Sequence, residues 1–385
     1  MSAEKRRGKG RRLAAAIGLI AVVGVSALAI YVVLSPPQNP APVNPKIVYL
    51  YIDPYTYSQI INDINQYEQD VEADGYDLRV FNVSWTNASQ MKVNLTQAYN
   101  MLGIKGAILV GNQPYQLRNY TGTGEVFPQE LYFMDLDGDW NDTDGDLILD
   151  LHAAGHGDML PEIWVSRLRP ETLSIYNVQL YHDYFNRLHA YRNGSLSRPH
   201  SMLVYQEDTW AYTPWINNIT AYTNVTFYMN ATPTTASAYL NNITTIPYEF
   251  VHLFCHAVHN AQWHEVSYMT FSHPAYDLTS GQVQAANPKP LFYNLYCCEA
   301  AKYTLSDCLA VSYLFSGSTL AVVASTKNNG GMTMNHFFYV PLGRGECFGD
   351  AFRQWWTPNY EDLHGPHKPE SMGVSLHGDP LLTIF

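Results

Sequence analysis

Two apolar segments in the second half of the chain end in side chains that could carry out acyl transfer. EFVHLFCHA contains Cys255 and His256, and LFYNLYCCEAA contains Cys297 and Cys298. If both segments are strands of one parallel sheet, their carboxyl ends lie at the same sheet edge. A histidine beside a cysteine can take the thiol proton and later protonate a leaving amine. A helix beginning directly after Cys298 would further favour the thiolate. The pattern indicates thiol acyl transfer.

The number of cysteines bears on this interpretation. The chain has five cysteines in 385 residues, which is an odd number and too few for a disulfide scaffold. At least one thiol is therefore unpaired or pairs between chains. Cys255 could form a disulfide with Cys297 or with Cys298 across neighbouring strands, and such a bond would abolish or regulate activity. Cys308 and Cys347 lie in segments with a helical pattern and are expected in the core.

A second feature with chemical potential is the acidic segment DLDGDWNDTDGDLILD at residues 135–150. Closely spaced carboxylates with glycine turns suit a hard cation that prefers oxygen ligands. Crowding them without a cation costs free energy through repulsion. The segment lacks the bidentate Glu of an EF-hand, and a solvated acidic turn is the alternative. We predict a structural Ca²⁺ site with candidate ligands Asp135, Asp137, Asp139, Asp142, Asp144, Asp146 and Asp150.

Other polar residues near the cysteines allow further interpretations. His252, His256 and His259 could bind zinc if their segment were helical, which would make the protein a zinc hydrolase. The apolar residues around them favour a strand instead. Glu207 and Asp208 follow the apolar segment SMLVYQ and are candidates for the rim of a substrate pocket. Such residues also commonly cap a following helix.

The elements that must position these residues alternate between strand and helix. The apolar runs predict strands at 46–52, 78–83, 106–112, 162–168, 201–206, 248–255, 291–297 and 318–326. The intervening patterns predict helices at 56–72, 89–102, 171–192, 299–315, 331–341 and 346–356. This alternation is typical of a mostly parallel sheet covered on both faces, in the α/β class. A loop at 191–201 divides it into two predicted subdomains, 46–196 with the acidic segment and 197–385 with the cysteines.

The N-terminal region predicts the compartment. Residues 1–12 form a basic tail, and residues 13–34 contain no charge and are long enough to span a bilayer. Residues 35–45 form a proline-rich linker. The basic flank stays in the cytoplasm by the positive-inside rule. We therefore expect a single-pass transmembrane anchor in the cell membrane with an extracellular C-terminal domain. A cleaved signal peptide is the alternative.

Charge and glycosylation signals fit an extracellular domain. Six of the 22 basic residues and one of the 34 acidic residues lie in the basic tail, so the rest of the chain carries about −17. This charge excludes nucleic acid as an expected partner. N-linked glycans are expected partners of the acceptor sites. These sites begin at Asn82, Asn87, Asn94, Asn119, Asn141, Asn193, Asn218, Asn224, Asn230 and Asn242.

The order of these segments resembles the gingipain-type cysteine peptidases of family C25. That family has a strand ending in Gly-His-Gly, a strand ending in Ala-Cys, an apolar segment ending in Ser-Thr, and a Gly-Asp-Pro near the C-terminus. This chain has CHA at 255–257, CC at 297–298, AVVAST at 321–326 and GDP at 378–380. PEIWVSRL at 161–168 is similar to a further family segment, so the resemblance covers about residues 105–385.

The resemblance implies a caspase-like three-layer α/β/α sandwich and a cysteine endopeptidase that cleaves proteins or peptides without an organic cofactor. His256 matches the catalytic histidine, Cys298 matches the nucleophile, and backbone amides near Ala257 and Cys298 would form the oxyanion hole. Cys255 and Ala257 replace family glycines, and alanine is strained if φ must be positive. A catalytically inactive surface adhesion or interaction protein on the same fold is the alternative. The tail, anchor and acceptor sites would suit an archaeal surface protein.

Overall fold

The computed structural model describes residues 46–120, 122–207, 219, 221–229, 234–263, 277–356 and 371–384. These residues belong to one compact unit, Lys46–Phe385. The predicted tail, membrane anchor and linker at 1–45 lie outside the described residues, as does Asp208. Within the described ranges, no helix is both long enough and apolar enough to cross a membrane.

The described residues form strands and helices in alternation over most of the chain. The strands are β1 Lys46–Ile52, β2 Tyr76–Asn82, β3 Gly106–Val110, β4 Leu117–Tyr120, β5 Glu125–Pro128, β6 Asp139–Asn141, β7 Leu151–Ala153, β8 Trp164–Leu168, β9 Met202–Gln206, β10 Val225–Tyr228, β11 Phe250–Phe254, β12 His256–Val258, β13 Ala261–Trp263, β14 Leu278–Thr279, β15 Phe292–Tyr296, β16 Ala321–Ser325 and β17 Val374–Gly378. The helices are α1 Pro54–Ala73, α2 Ala88–Leu102, α3 Leu131–Met134, α4 Gln179–Arg192, α5 Ala236–Thr245, α6 Ser280–Ala286, α7 Leu309–Leu314, α8 His336–Leu342 and α9 Phe348–Trp355.

Ten strands form the central sheet in the order β10-β9-β11-β15-β16-β17-β8-β3-β1-β2. Every neighbouring pair is parallel except β16 and β17, which are antiparallel. The sheet therefore consists of two parallel halves that run in opposite directions and meet between β16 and β17. Because β9, β11, β15 and β16 belong to one half, their carboxyl ends lie at one edge. The predicted mostly parallel sheet is confirmed.

Helices pack on both faces of this sheet. Phe250 of β11 lies opposite Phe292 of β15, and the ring of Phe250 contacts Tyr339 of α8 with centroids 5.5 Å apart. Tyr293 follows Phe292 and points to the other face, as successive strand residues do. Its ring contacts Tyr313 of α7 with centroids 4.7 Å apart. The arrangement is that of an α/β sandwich.

The predicted helix at 299–315 is mostly wrong. The chain forms turns after β15, and a regular helix begins only at Leu309. Glu299 has φ 52° and Asp307 has φ 55°. A right-handed helix cannot pass through residues in the left-handed region. The dipole of a helix starting at Cys298 is therefore not available to stabilise a thiolate there. The division into subdomains at 196/197 stays a prediction.

Candidate active site

The pairing of β11 with β15 brings the two reactive segments together. Phe254 lies opposite Tyr296 in the parallel register. The next residue of each segment continues this register, as the distance of 3.3 Å between Sγ of Cys255 and Sγ of Cys297 shows. One residue further along each chain segment, His256 and Cys298 follow at the same sheet edge. The register thus places the histidine and the cysteine that the sequence singled out one residue beyond the facing Cys255 and Cys297.

Cys298 is the more accessible of the two adjacent cysteines. It is half-buried, whereas Cys297 is only 1% exposed. Burial raises the pKa of the Cys298 thiol, and the backbone amides of Asn329 and Gly330 oppose this by donating toward the sulfur. A thiol with a raised pKa needs a base to become a nucleophile at neutral pH. The amides can nevertheless stabilise the thiolate once it forms.

The backbone turns sharply around Cys298. Glu299 adopts φ 52° and its amide donates to the carbonyl of Lys327 at 3.0 Å. Asn329, on the loop after β16, also has a positive φ, at 50°. A left-handed residue other than glycine costs about 1 kcal/mol. The two turns therefore store strain at the point where the thiol leaves strand β15, and together they direct the amides of Asn329 and Gly330 toward it.

His256 lies beside a buried carboxylate. Its Nε2 atom is 3.5 Å from Oε1 of Glu207, with the imidazole 37% exposed and the carboxylate fully buried. The Glu207 amide donates to the carbonyl of Phe254 at 3.0 Å, which ties the end of β9 to the end of β11. Glu207 cannot form the rim of a pocket as predicted, because its side chain is buried. It is instead placed to orient the imidazole, a role that no feature of the sequence indicated.

Ala257 lies in the short hairpin after the histidine. It pairs with Gln262 between β12 and β13 and is 5% exposed. Ala257 is not among the described residues that have positive φ. Alanine is therefore unstrained at this position, and the loss of the family glycine has no backbone cost here.

The structure contradicts the zinc interpretation. His252 lies within strand β11 and is fully buried, where its Nδ1 bonds the hydroxyl of Tyr339 at 2.7 Å and its ring stacks on Phe254. Burial lowers its pKa to about 3. A strand sends His252 into the core while His256 lies beyond the strand end, so the i, i+4 spacing of a helix does not apply. In the part of the chain that the structure describes, no cluster of three metal-ligating side chains includes a histidine.

An open cleft of about 480 Å³ lies between Glu299, the residue after Cys298, and the loop that follows β16. Glu125, from the β4–β5 hairpin, holds one wall of it. Its carboxylate pairs with Nζ of Lys327 at 3.1 Å and accepts the amide of Asn328 at 2.5 Å. No feature of the sequence indicated this cleft, because its walls come from segments about 200 residues apart. The lining residues are Tyr120, Thr123, Glu125, Glu299, Lys327, Asn328 and Asn329.

The acidic segment folds into two separate carboxylate groups. Asp135, Asp137 and Glu162 form the first group, and within each group the ligand atoms lie within 4.8 Å of one another. Glu162 was not predicted, because it lies outside the segment. Burial, with the charges of Asp137 and Asp135 adding to it and the amide of Leu136 opposing it, raises the pKa of Glu162 to about 7. Carboxylates this close repel one another, which a cation would relieve.

The second group contains Asp142, Asp144 and Asp146 and is more exposed. Amides of the turn donate to its carboxylates, among them that of Leu147 to Asp142 at 2.8 Å. Asp150 instead accepts from the amide and hydroxyl of Thr143. Asp139 and Asp150 belong to neither group, so the seven predicted ligands do not converge on one centre.

The comparison with known families covers all the described residues. The model of Peptidase family C25 matches residues 43–385. No curated protein matches the chain.

Proposed function

Because the chain belongs to peptidase family C25 and is therefore a cysteine-type peptidase, we propose that Cys298 is its nucleophile and His256 its general base and acid. The observation that carries this proposal is the register of β11 and β15. The 3.3 Å contact between Cys255 and Cys297 extends that register to the residues just before the pair. Neighbouring strands lie about 4.8 Å apart, so the side chains that follow them can reach the roughly 3 Å separation that proton transfer requires.

In the proposed mechanism, His256 accepts the thiol proton of Cys298 as the sulfur attacks the scissile carbonyl carbon. The imidazolium then donates that proton to the leaving amine, and a thioester with Cys298 remains. Water attacks the thioester, again with His256 as base, and the free thiol and the new carboxyl product are released. Backbone amides of Ala257 and Cys298 are our candidates for stabilising the oxyanion in both steps.

Glu207 completes this proposal as a positioning residue. Its buried carboxylate lies 3.5 Å from Nε2 of His256, and we assign the proton exchange with the thiol to the other ring nitrogen, Nδ1. A carboxylate at this position favours the charged imidazolium that forms in the reaction. It therefore acts through His256 and need not touch the substrate.

Covalent labelling tests the roles proposed for Cys298 and His256. Reduced protein is treated with peptidyl acyloxymethyl ketones of varied end residue, and wild type is compared with Cys298→Ala, His256→Ala and Cys297→Ala by mass spectrometry. Labelling of Cys298 that depends on His256 and survives Cys297→Ala supports the assignment. No labelling of wild type would overturn it and favour the inactive surface adhesion or interaction protein.

The substrates are proteins or peptides, as expected of a peptidase. We further propose an extracellular site of action, with the chain held in the cell membrane by residues 13–34. Its support is the uncharged length of that segment and the basic residues before it. Membrane extraction of the full-length protein and protease accessibility on intact cells test this. Release by salt alone would contradict an anchor.

N-linked glycans on exposed acceptor sites form part of the same proposal. Asn82, Asn87, Asn141 and Asn193 are exposed. Asn242 is only 6% exposed, and its Nδ2 donates to the carbonyl of Ala238 at 2.9 Å. We therefore expect no glycan at Asn242 in folded protein, and glycopeptide mapping checks both statements.

We also propose that Ca²⁺ stabilises the acidic segment structurally. The donor set of Asp135, Asp137 and Glu162 is made only of carboxylate oxygens, as a hard cation requires. At a Ca²⁺ concentration 100-fold above Kd, stabilisation of about 2.7 kcal/mol would raise Tm by about 4 °C. Glu162→Gln should reduce this shift, and the exposed Glu72→Gln should not. Equal Tm values with Ca²⁺ and with chelator would refute the site.

A further inference from the structure

We propose that Cys255 and Cys297 form a disulfide that links strand β11 to strand β15 directly beneath the catalytic pair, and that Cys298 stays a free thiol. Peptidase chemistry does not require this covalent bond. Of the two disulfides that the sequence left open, the geometry favours this one.

The geometry for the bond is already present. The two Sγ atoms are 3.3 Å apart, so a contraction of about 1.3 Å reaches disulfide length. Cys255 and Cys297 directly follow Phe254 and Tyr296, which are register partners in the parallel pair. Neighbouring strands about 4.8 Å apart have a Cα separation within the range that disulfides span. The bond can therefore form with little movement of the backbone.

Cys298 is not positioned to compete for Cys255. Its sulfur faces the amides of Asn329 and Gly330 on the loop after β16, on the other side of strand β15 from β11. It also follows Cys297 directly, and successive strand residues point to opposite faces. A bond between Cys297 and Cys298 would have to close a strained ring of adjacent residues. Cys298, the half-buried cysteine at the proposed site, therefore keeps its free thiol.

Burial makes the bond durable and sets when it forms. Cys255 and Cys297 are each 1% exposed. Burial also raises the pKa of Cys255 well above its ordinary value, so the thiol of Cys255 is a poor nucleophile in the folded protein. We therefore expect oxidation while the chain folds, by a low-molecular-weight disulfide. The two thiols lose two protons and two electrons, the S–S bond forms, and the small disulfide is reduced to two thiols.

The bond would serve the catalytic site mechanically. It joins the residues that immediately precede His256 and Cys298, and catalytic groups must be held within about 0.5 Å of their productive positions. The crosslink also joins residues 42 positions apart in the chain. A loop of that length predicts a rise in Tm of about 5 °C on oxidation.

The test maps thiols in the full-length protein. It is refolded or equilibrated with oxidised glutathione, denatured, alkylated without reduction, digested and analysed by mass spectrometry. We expect one crosslinked peptide joining Cys255 to Cys297, and alkyl groups on Cys298, Cys308 and Cys347. Alkylated Cys255 and Cys297 in wild type, or a crosslink that contains Cys298, would overturn the proposal.

A second measurement separates the bond from the effects of mutation on folding. The difference in Tm between oxidised and reduced protein should be about 5 °C in wild type and near zero in Cys255→Ala and in Cys297→Ala. The buried Cys308→Ala is the matched control and should keep the difference. A wild-type difference near zero contradicts the proposal. Because neither measurement needs activity, a failure of Cys298 to react with peptidyl ketones would refute the peptidase mechanism alone.

Discussion

Replacing Glu207 with glutamine tests whether a buried charge supports His256, the proposed catalytic histidine. The amide of glutamine keeps the shape and can still accept a hydrogen bond from Nε2 of His256, so the imidazole keeps its orientation. Only the negative charge is lost. Any change in reactivity then reports the electrostatic contribution of the carboxylate and not a collapse of the site.

The size of the effect follows from the geometry. Two unit charges 3.5 Å apart interact by roughly 5 kcal/mol at an effective dielectric constant of about 20. The imidazole of His256 is 37% exposed, so solvent screens part of this interaction. A contribution of about 1.5 to 3 kcal/mol to the imidazolium remains. It corresponds to a loss of about 10- to 100-fold in the rate at which Cys298 reacts.

The assay is the second-order rate of Cys298 labelling by a peptidyl acyloxymethyl ketone, followed between pH 5 and 9 by mass spectrometry. Glu207→Gln should lower the maximum rate across this range, because the thiolate–imidazolium pair is less stable without the carboxylate. Glu249→Gln is the matched control, since Glu249 is also a buried glutamate that pairs with a histidine, His200, at 2.7 Å. Glu249→Gln should cost stability but leave the labelling rate unchanged.

Two results would refute this reasoning. A wild-type labelling rate in Glu207→Gln would show that the charge does not support the reaction. An equal loss in Glu207→Gln and Glu249→Gln would show that the effect comes from general destabilisation. Thermal melts show whether both variants are still folded at the assay temperature. They therefore distinguish general destabilisation from a true effect on the site.

Three further predictions concern other buried groups. Arg167→Met leaves the carboxylate of Glu130 buried without its 2.7 Å partner, so denaturant unfolding should show a loss of about 3–5 kcal/mol. Burial lowers the pKa of His377 to about 4, so below pH 6.5 the unfolded state binds a proton that the folded state does not. Stability should therefore fall by up to about 1.4 kcal/mol per pH unit from pH 6.5 to 4, and His377→Gln should reduce this slope in denaturant unfolding. In His256→Ala, alkylation of Cys298 by iodoacetamide should show its inflection above the pH of an ordinary thiol, because burial raises the pKa.

Each of these predictions has a clear contrary result. Unchanged stability in Arg167→Met would mean that the pair with Glu130 contributes nothing net. An unchanged acid slope in His377→Gln would mean that other groups control acid unfolding. An alkylation inflection for Cys298 below that of a free thiol would mean that the loop amides outweigh burial.

The sequence predicted most of the central strands, because each is a continuous apolar run that only a doubly covered sheet accommodates. It also predicted that His256 and Cys298 follow two of these strands. It could not predict that α7 begins only at Leu309, because left-handed φ values at Glu299 and Asp307 depend on the loop that packs around them. For the same reason the sequence predicted that a helix would stabilise the Cys298 thiolate. In the structure the backbone amides of Asn329 and Gly330 face the sulfur instead.

The proposed calcium ligands show a similar limit. Asp135 and Asp137 are evident from their spacing, but Glu162 joins them only through the fold. Spacing along the chain reports local geometry over a few residues. Ligands supplied from farther along the chain carry no local signal.

The residues that we propose for the chemistry were thus readable from the sequence, since their types and their order after apolar strands are local properties. The family and the mostly parallel sheet follow from that order, and so does our assignment of the histidine–cysteine pair. The tertiary structure decided what depends on register and burial. The pairing of β11 with β15 sets Cys255 against Cys297, and the end of β9 sets Glu207 against His256. Such contacts join segments tens of residues apart, and their energies depend on exclusion of water, which only the folded chain provides.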